Sequence, residues 1–205
     1  MFNPYAQGGW PNTENPNASP PRGTIPQPSI FGALPYPTPV SSPTPASSPF
    51  ITFRFTSLSP TILDSVVLGP QSRTHFHIIT DAPMVGFTII CDSANQPTII
   101  IEWVEHPIIE IRGILSKRRT SNWLVLSADN SYRTMTASGR TFAWGADGDY
   151  TCLYCAGLGA PQIYARVFRQ NEDLVLEMTP EAVQIGLLEI CVAAALLLES
   201  GRNID

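Results

Sequence analysis

The sequence predicts a mainly β fold: a closed antiparallel β-barrel of about twelve strands, threaded by one hydrophobic C-terminal α-helix. Two observations carry this expectation. From Phe50 onward, apolar β-branched runs recur every eight to twelve residues between turn residues, the spacing of a sandwich or barrel. Between Ile185 and Leu198 only Glu189 is polar. A helix that is apolar all round has to be surrounded on every side. Strands are the only material in the chain that could surround it, and closing them into a barrel also removes exposed sheet edges.

In chain order, residues 1–49 come first. They hold thirteen of the twenty prolines and only two charged residues, Glu14 and Arg22. Such a segment buries too little apolar surface to offset its ordering entropy, so a disordered Pro/Ser/Thr-rich tail is expected. No two of its prolines are three apart, so the P-x-x-P ligand pattern is missing. Residues 50–205 form the expected domain and carry the whole net charge of −5. A domain of that length buries roughly 70% of its unfolded surface and needs no disulfide or metal for stability.

Strands are expected near 51–56, 64–68, 73–80, 84–91, 98–105, 108–115, 122–127, 131–136, 140–145, 150–155, 162–169 and 173–178. The alternation is clearest late in the chain. Ile163, Ala165 and Val167 fall on one face against Tyr164, Arg166 and Phe168, and Leu174, Leu176 and Met178 fall against Val175 and Glu177. Ser138-Gly139 and Asp147-Gly148 read as hairpin turns. The helix is expected over about 180–200, with Thr179 as N-cap, Pro180 at the first helical position, Glu181 in the first turn and Gly201 at its end. Its apolar run is short for a membrane span, which takes about twenty residues, and Glu189 interrupts it. A core helix is therefore expected, with no transmembrane span, and with Glu189 as a buried helix charge that must be paired, with Arg166 or Arg140 as candidate partners, protonated, or pointed at an open barrel end.

Composition narrows the function classes. Lys117 is the single lysine and the balance is acidic, so no nucleic-acid partner is expected. Four cysteines are too few for a disulfide scaffold, and Met1 to Tyr5 lacks the charged and apolar regions of a secretory signal. An intracellular, cytoplasmic protein with reduced thiols is expected. Cys152-Leu153-Tyr154-Cys155 sits between strand flanks and has no second pair, which fits neither a redox helix nor a zinc ribbon. His75 and His77 lack further ligands, so no metal and no cofactor is expected. No nucleophile elbow, phosphate loop or paired-carboxylate arrangement stands out beyond Glu102 and Glu110 on neighbouring strands, which ordinary cross-strand ion pairing explains. Catalytic residues are accordingly expected to be none, and the protein is read as not an enzyme.

A set of short pieces resembles a known family. These are Ile101-Glu102-Trp103, Ile111-Arg112-Gly113, Asn122-Trp123-Leu124, Arg133-Thr134-Met135, Gly139 to Trp144, Ala165-Arg166, Leu176 to Glu181 and Leu196 to Glu199, in order across roughly residues 74–202. The body is similar to a fungal family of unknown function, from mushroom-forming species, grouped with the tubby C-terminal-like superfamily of phospholipid scramblases and LURP-one-related proteins. The resemblance implies a twelve-stranded barrel around a central hydrophobic helix, and relatives that bind phosphoinositides or act at membranes. Their lipid-contacting residues do not map onto positions of this chain.

The candidate lipid or anion site is the basic cluster Lys117, Arg118 and Arg119, expected on a loop, with Trp123 at headgroup level beside it. The expected function is a non-enzymatic binding module for anionic phospholipid or a protein partner at a membrane surface. The alternative is a structural or interaction domain without a small ligand, its partners recruited by the proline-rich tail.

Overall fold

The computed structural model describes residues 50–56, 58, 61–82, 84–157 and 161–205. The expected tail, 1–49, lies outside the described residues.

The described residues form one antiparallel sheet of thirteen strands and two short helices. The first seven strands are β1 (Ile51–Thr56), β2 (Ser65–Leu68), β3 (Thr74–Thr80), β4 (Phe87–Asp92), β5 (Pro97–Glu102), β6 (Ile108–Ile111) and β7 (Leu115–Arg119). The other six are β8 (Val125–Leu126), β9 (Tyr132–Ala137), β10 (Arg140–Asp147), β11 (Tyr150–Cys155), β12 (Ile163–Gln170) and β13 (Asp173–Met178). Each half is a meander of neighbours in sequence. The halves join where β1 pairs with β13, with Phe53 opposite Leu176. Among the described residues β7 and β8 are the two edges and do not pair with each other, so the sheet is not hydrogen-bonded into the closed barrel expected.

Period-two patterning produces these strands. Phe53 and Phe55 on β1, Phe76 and Ile78 on β3, Ile99 and Ile101 on β5 and Leu174 and Leu176 on β13 are all buried on the inner face. The β9–β10 hairpin closes through Ser138-Gly139, whose φ values of 49° and 72° fit a type I′ turn.

The inner face covers α2 (Leu188–Glu199). Ile190 through Leu197 are each at most 2% exposed, so this helix is enclosed on all sides. Both β5 and β13, with four strands between them in the sheet, pack on it. The sheet therefore curls around the helix. No helix among the described residues is long and apolar enough to cross a membrane.

Three expectations change here. The helix expected over 180–200 is two helices, α1 (Pro180–Gln184) and α2. Gly186, at φ +78°, breaks the run between them, a backbone that glycine adopts without strain. As expected, Thr179 caps α1, its Oγ1 accepting from the Ala182 N–H at 3.2 Å. The break puts Glu189 in the first turn of α2 and leaves it half-buried, where a carboxylate suits the helix dipole, so it is not the enclosed charge expected. Neither suggested partner reaches it: Arg140 lies 3.8 Å from Glu181, and Arg166 donates to Glu177 at 2.6 Å. Finally, the strand expected over 108–115 turns at Gly113, and a thirteenth strand, β7, follows it.

Candidate functional site

The basic cluster lies on β7, an edge strand and not a loop. Ile109, buried on the inner face, pairs with Arg118, whereas Ile108 pairs with Arg119. Successive side chains on a strand point to opposite faces, so the three cations do not form one surface. Lys117 is on the outer face, its Nζ 2.9 Å from the Glu102 carboxylate. Arg118 is on the inner side, donating to the Ser116 carbonyl at 3.3 Å and the Ser116 hydroxyl at 3.1 Å. Among the described residues no carboxylate pairs with Arg118 or Arg119. Charges along an unpaired edge also discourage strand-to-strand aggregation.

Trp123 does not stand at the surface: it is 4% exposed and belongs to the core. A short 3-10 turn, Thr120–Asn122, puts it there. Buried Thr120 anchors that turn, donating from both N–H and Oγ1 to the Pro107 carbonyl at 2.8 and 3.0 Å. The Trp123 N–H closes the turn on Thr120.

Between the two sheet edges lies a cleft of about 150 Å³. Leu115 and Arg118 line one side, Asn122 and Trp123 one end, and Thr134, Met135, Thr136 and Thr141 the other side. β8 spans two residues and pairs only with Arg133 and Thr134, so the lower half of β9 has no strand on that flank and the cleft stays open. Arg118, Asn122 and the three threonines line it together with the apolar Leu115, Trp123, Val125 and Met135. Such a set favours a small anionic or polar group. Asn122 and the threonines were not foreseen, because they converge only through the register of β9 and β10, where Thr136 lies opposite Thr141.

A second cavity, about 210 Å³, lies on the outer face over β4–β7. Phe87, Ile89, Ile100 and Ile108 form its floor and Met84 its rim, with Glu102, Glu110 and Lys117 beside them. Glu102 and Glu110 share this face, and Glu102 is tied to Lys117 and not to a second carboxylate.

The remaining candidates disperse. His75 packs edge-on against Phe53 at 5.3 Å, and among the described residues no group of three or more His, Cys, Asp or Glu could hold a metal ion. Burial pushes up the thiols of Cys152 and Cys91, and that of Cys191 strongly. Burial, together with a 3.1 Å hydrogen bond to Asp147, pushes the Tyr154 hydroxyl up to about 12.

No protein-family model matches the sequence, and no curated protein matches it. Among solved structures, an X-ray structure of a protein from Arabidopsis thaliana superposes with a TM-score of 0.42 at 10% sequence identity, covering 75% of this chain and 92% of that one.

Proposed function

We propose that residues 50–205 are a non-enzymatic binding module of the tubby-like kind, a barrel drawn round α2, which receives an anionic phospholipid headgroup in the cleft between β7 and β9. The observation that carries this reading is Arg118, turned to the inner side of an edge strand, without a carboxylate partner among the described residues, in a cleft that Asn122 and three threonines also line. The enclosed α2 supports the barrel. The net charge of −5 confines any attraction to an anionic membrane to this locality.

Co-sedimentation with phosphatidylcholine vesicles, with and without a phosphoinositide, tests the proposal. Wild type binds the phosphoinositide vesicles and Arg118→Gln loses most of that binding, whereas Lys117→Ala, already paired to Glu102, changes it little. Equal absence of binding by all three proteins refutes the lipid reading.

A protein partner is the second reading, favoured by the outer cavity and its neighbours Met84, 51% exposed, and Val85, 84% exposed. It predicts that Ile100→Lys abolishes capture of a partner and that deletion of residues 1–49 does not. The reverse result assigns recruitment to the tail.

A further inference from the structure

Arg133 on β9 and Trp144 on β10 are directly opposite across the ladder, so their side chains are neighbours on one face. Both turn inward near the C-terminal end of α2. Trp144 is 2% exposed, and the Arg133 side chain 13%. Arg133 grips the carboxylate of Asp205 with both terminal nitrogens, at 2.8 and 2.7 Å, and also donates to the Leu124 carbonyl at 3.0 Å. Trp144 has no such partner. Its Nε1–H is buried and donates to no acceptor among the described residues. Glu102 Oε2, likewise without a hydrogen bond, is compensated by Lys117 at 2.9 Å. Trp144 thus presents the one buried side-chain donor left uncompensated among the described residues, and buried donors are almost always paired.

Both residues line a cavity of about 170 Å³, together with Leu198 and the polar Asn130, Ser131 and Tyr132. None of its lining residues belongs to the cleft between β7 and β9. An indole N–H and a guanidinium only donate, so what they recognise together is an acceptor carrying negative charge. Asp205 already demonstrates the match, because its carboxylate fills the guanidinium fork in the bidentate manner such pairs favour.

We propose that Arg133 and Trp144 form a binding site for a small oxyanion, a carboxylate or a phosphate, and that Asp205 is its built-in competitor. One ligand oxygen accepts the Trp144 N–H while the others take Arg133 over from Asp205. The competitor is held nearby by its neighbour Ile204, which is buried, and by His106 Nδ1, 3.2 Å from the Asp205 carbonyl.

The test is a ¹H–¹⁵N spectrum of the full chain, with the Trp144 indole signal identified by its loss in Trp144→Phe. Sodium acetate and inorganic phosphate are titrated separately, against sodium chloride at matched ionic strength. The expected result is a saturable shift of the Trp144 indole signal with acetate, phosphate or both, the responding anion naming the ligand class. Asp205→Ala should bind roughly tenfold more tightly, the size of one lost charge-assisted competitor. Arg118→Gln should leave the titration unchanged, which separates this site from the cleft. If wild type and Asp205→Ala both drift only as chloride makes them drift, a water molecule satisfies Trp144 and the proposal is overturned.

Discussion

Leu196 tests the enclosure of α2 most directly. It is fully buried, in the last full turn of a helix covered on every side, while Leu198, two residues on, is half-buried at the helix end. Leu196→Ala removes three carbons, and at about 0.8 kcal/mol for each buried methylene the transfer loss alone is roughly 2.4 kcal/mol. A curled sheet around a helix cannot readily collapse into the space, because every strand but the two at the edges is fixed by two neighbours, so a cavity cost adds to this and brings the total to about 3–4 kcal/mol. For a domain of this size each kcal/mol lowers Tm by about 2–4 °C, so a fall of roughly 6–16 °C is expected. Leu198→Ala, with solvent on one side, should cost about 1 kcal/mol. Urea unfolding followed by tryptophan fluorescence, with equal m-values required of the variants, measures both. Costs below 1 kcal/mol for Leu196→Ala, or equal costs for the two variants, would refute an all-round enclosure.

Three further outcomes follow from particular contacts. Thr179→Ala removes the cap on α1 and should cost about 1 kcal/mol in the same unfolding assay, with Thr179→Ser recovering most of it. In native protein, a thiol reagent should label half-exposed Cys155 first and Cys191 last, the latter only at the rate of global unfolding, since burial pushes the Cys191 thiol far up and shields it. The Arg133 hydrogen bonds hold the Asp205 carboxyl below its ordinary value. A carboxyl lowered in this way stabilises the fold above the unfolded value of about 3.9, and that contribution is lost as pH falls through the lower folded value. The stability gap between wild type and Asp205→Asn should therefore be no more than about 1 kcal/mol at neutral pH, Asp205 being half-exposed, and should vanish on acidification; a gap that persists in acid contradicts this assignment.

The strands were legible wherever burial imposes alternation. β1, β11 and β13 fall where the sequence puts them, because one face of each meets the core. β7 was not legible. Its Ser116-Lys117-Arg118-Arg119 has no apolar alternation, since an edge strand covers nothing on its free flank, and its charges read equally well as a loop. The helix break was missed for a related reason. In the sequence Gly186 is one small residue at the start of an apolar run, while in the fold it supplies the left-handed turn between α1 and α2. That single φ angle carries Glu189 from the expected interior to a helix start. The candidate site was half legible: Arg118 could be named from the cluster, but Asn122, Thr136 and Thr141 meet it only through strand register, as Arg133 meets Trp144.

The order of the strands has a consequence for how the protein is made. Its central ladder joins β1 to β13, more than a hundred residues apart, and the helix that the sheet encloses lies beyond β13. Contacts this distant in sequence form slowly. As the chain leaves the ribosome, thirteen strands emerge before the side chains that they wrap. Until Ile190–Leu197 has been synthesised, the row of Phe53, Phe55, Ile99 and Ile101 has nothing to pack on. The nascent chain is therefore expected to wait, greasy and unfinished, as a substrate for chaperones, and to fold in one late step when the helix arrives.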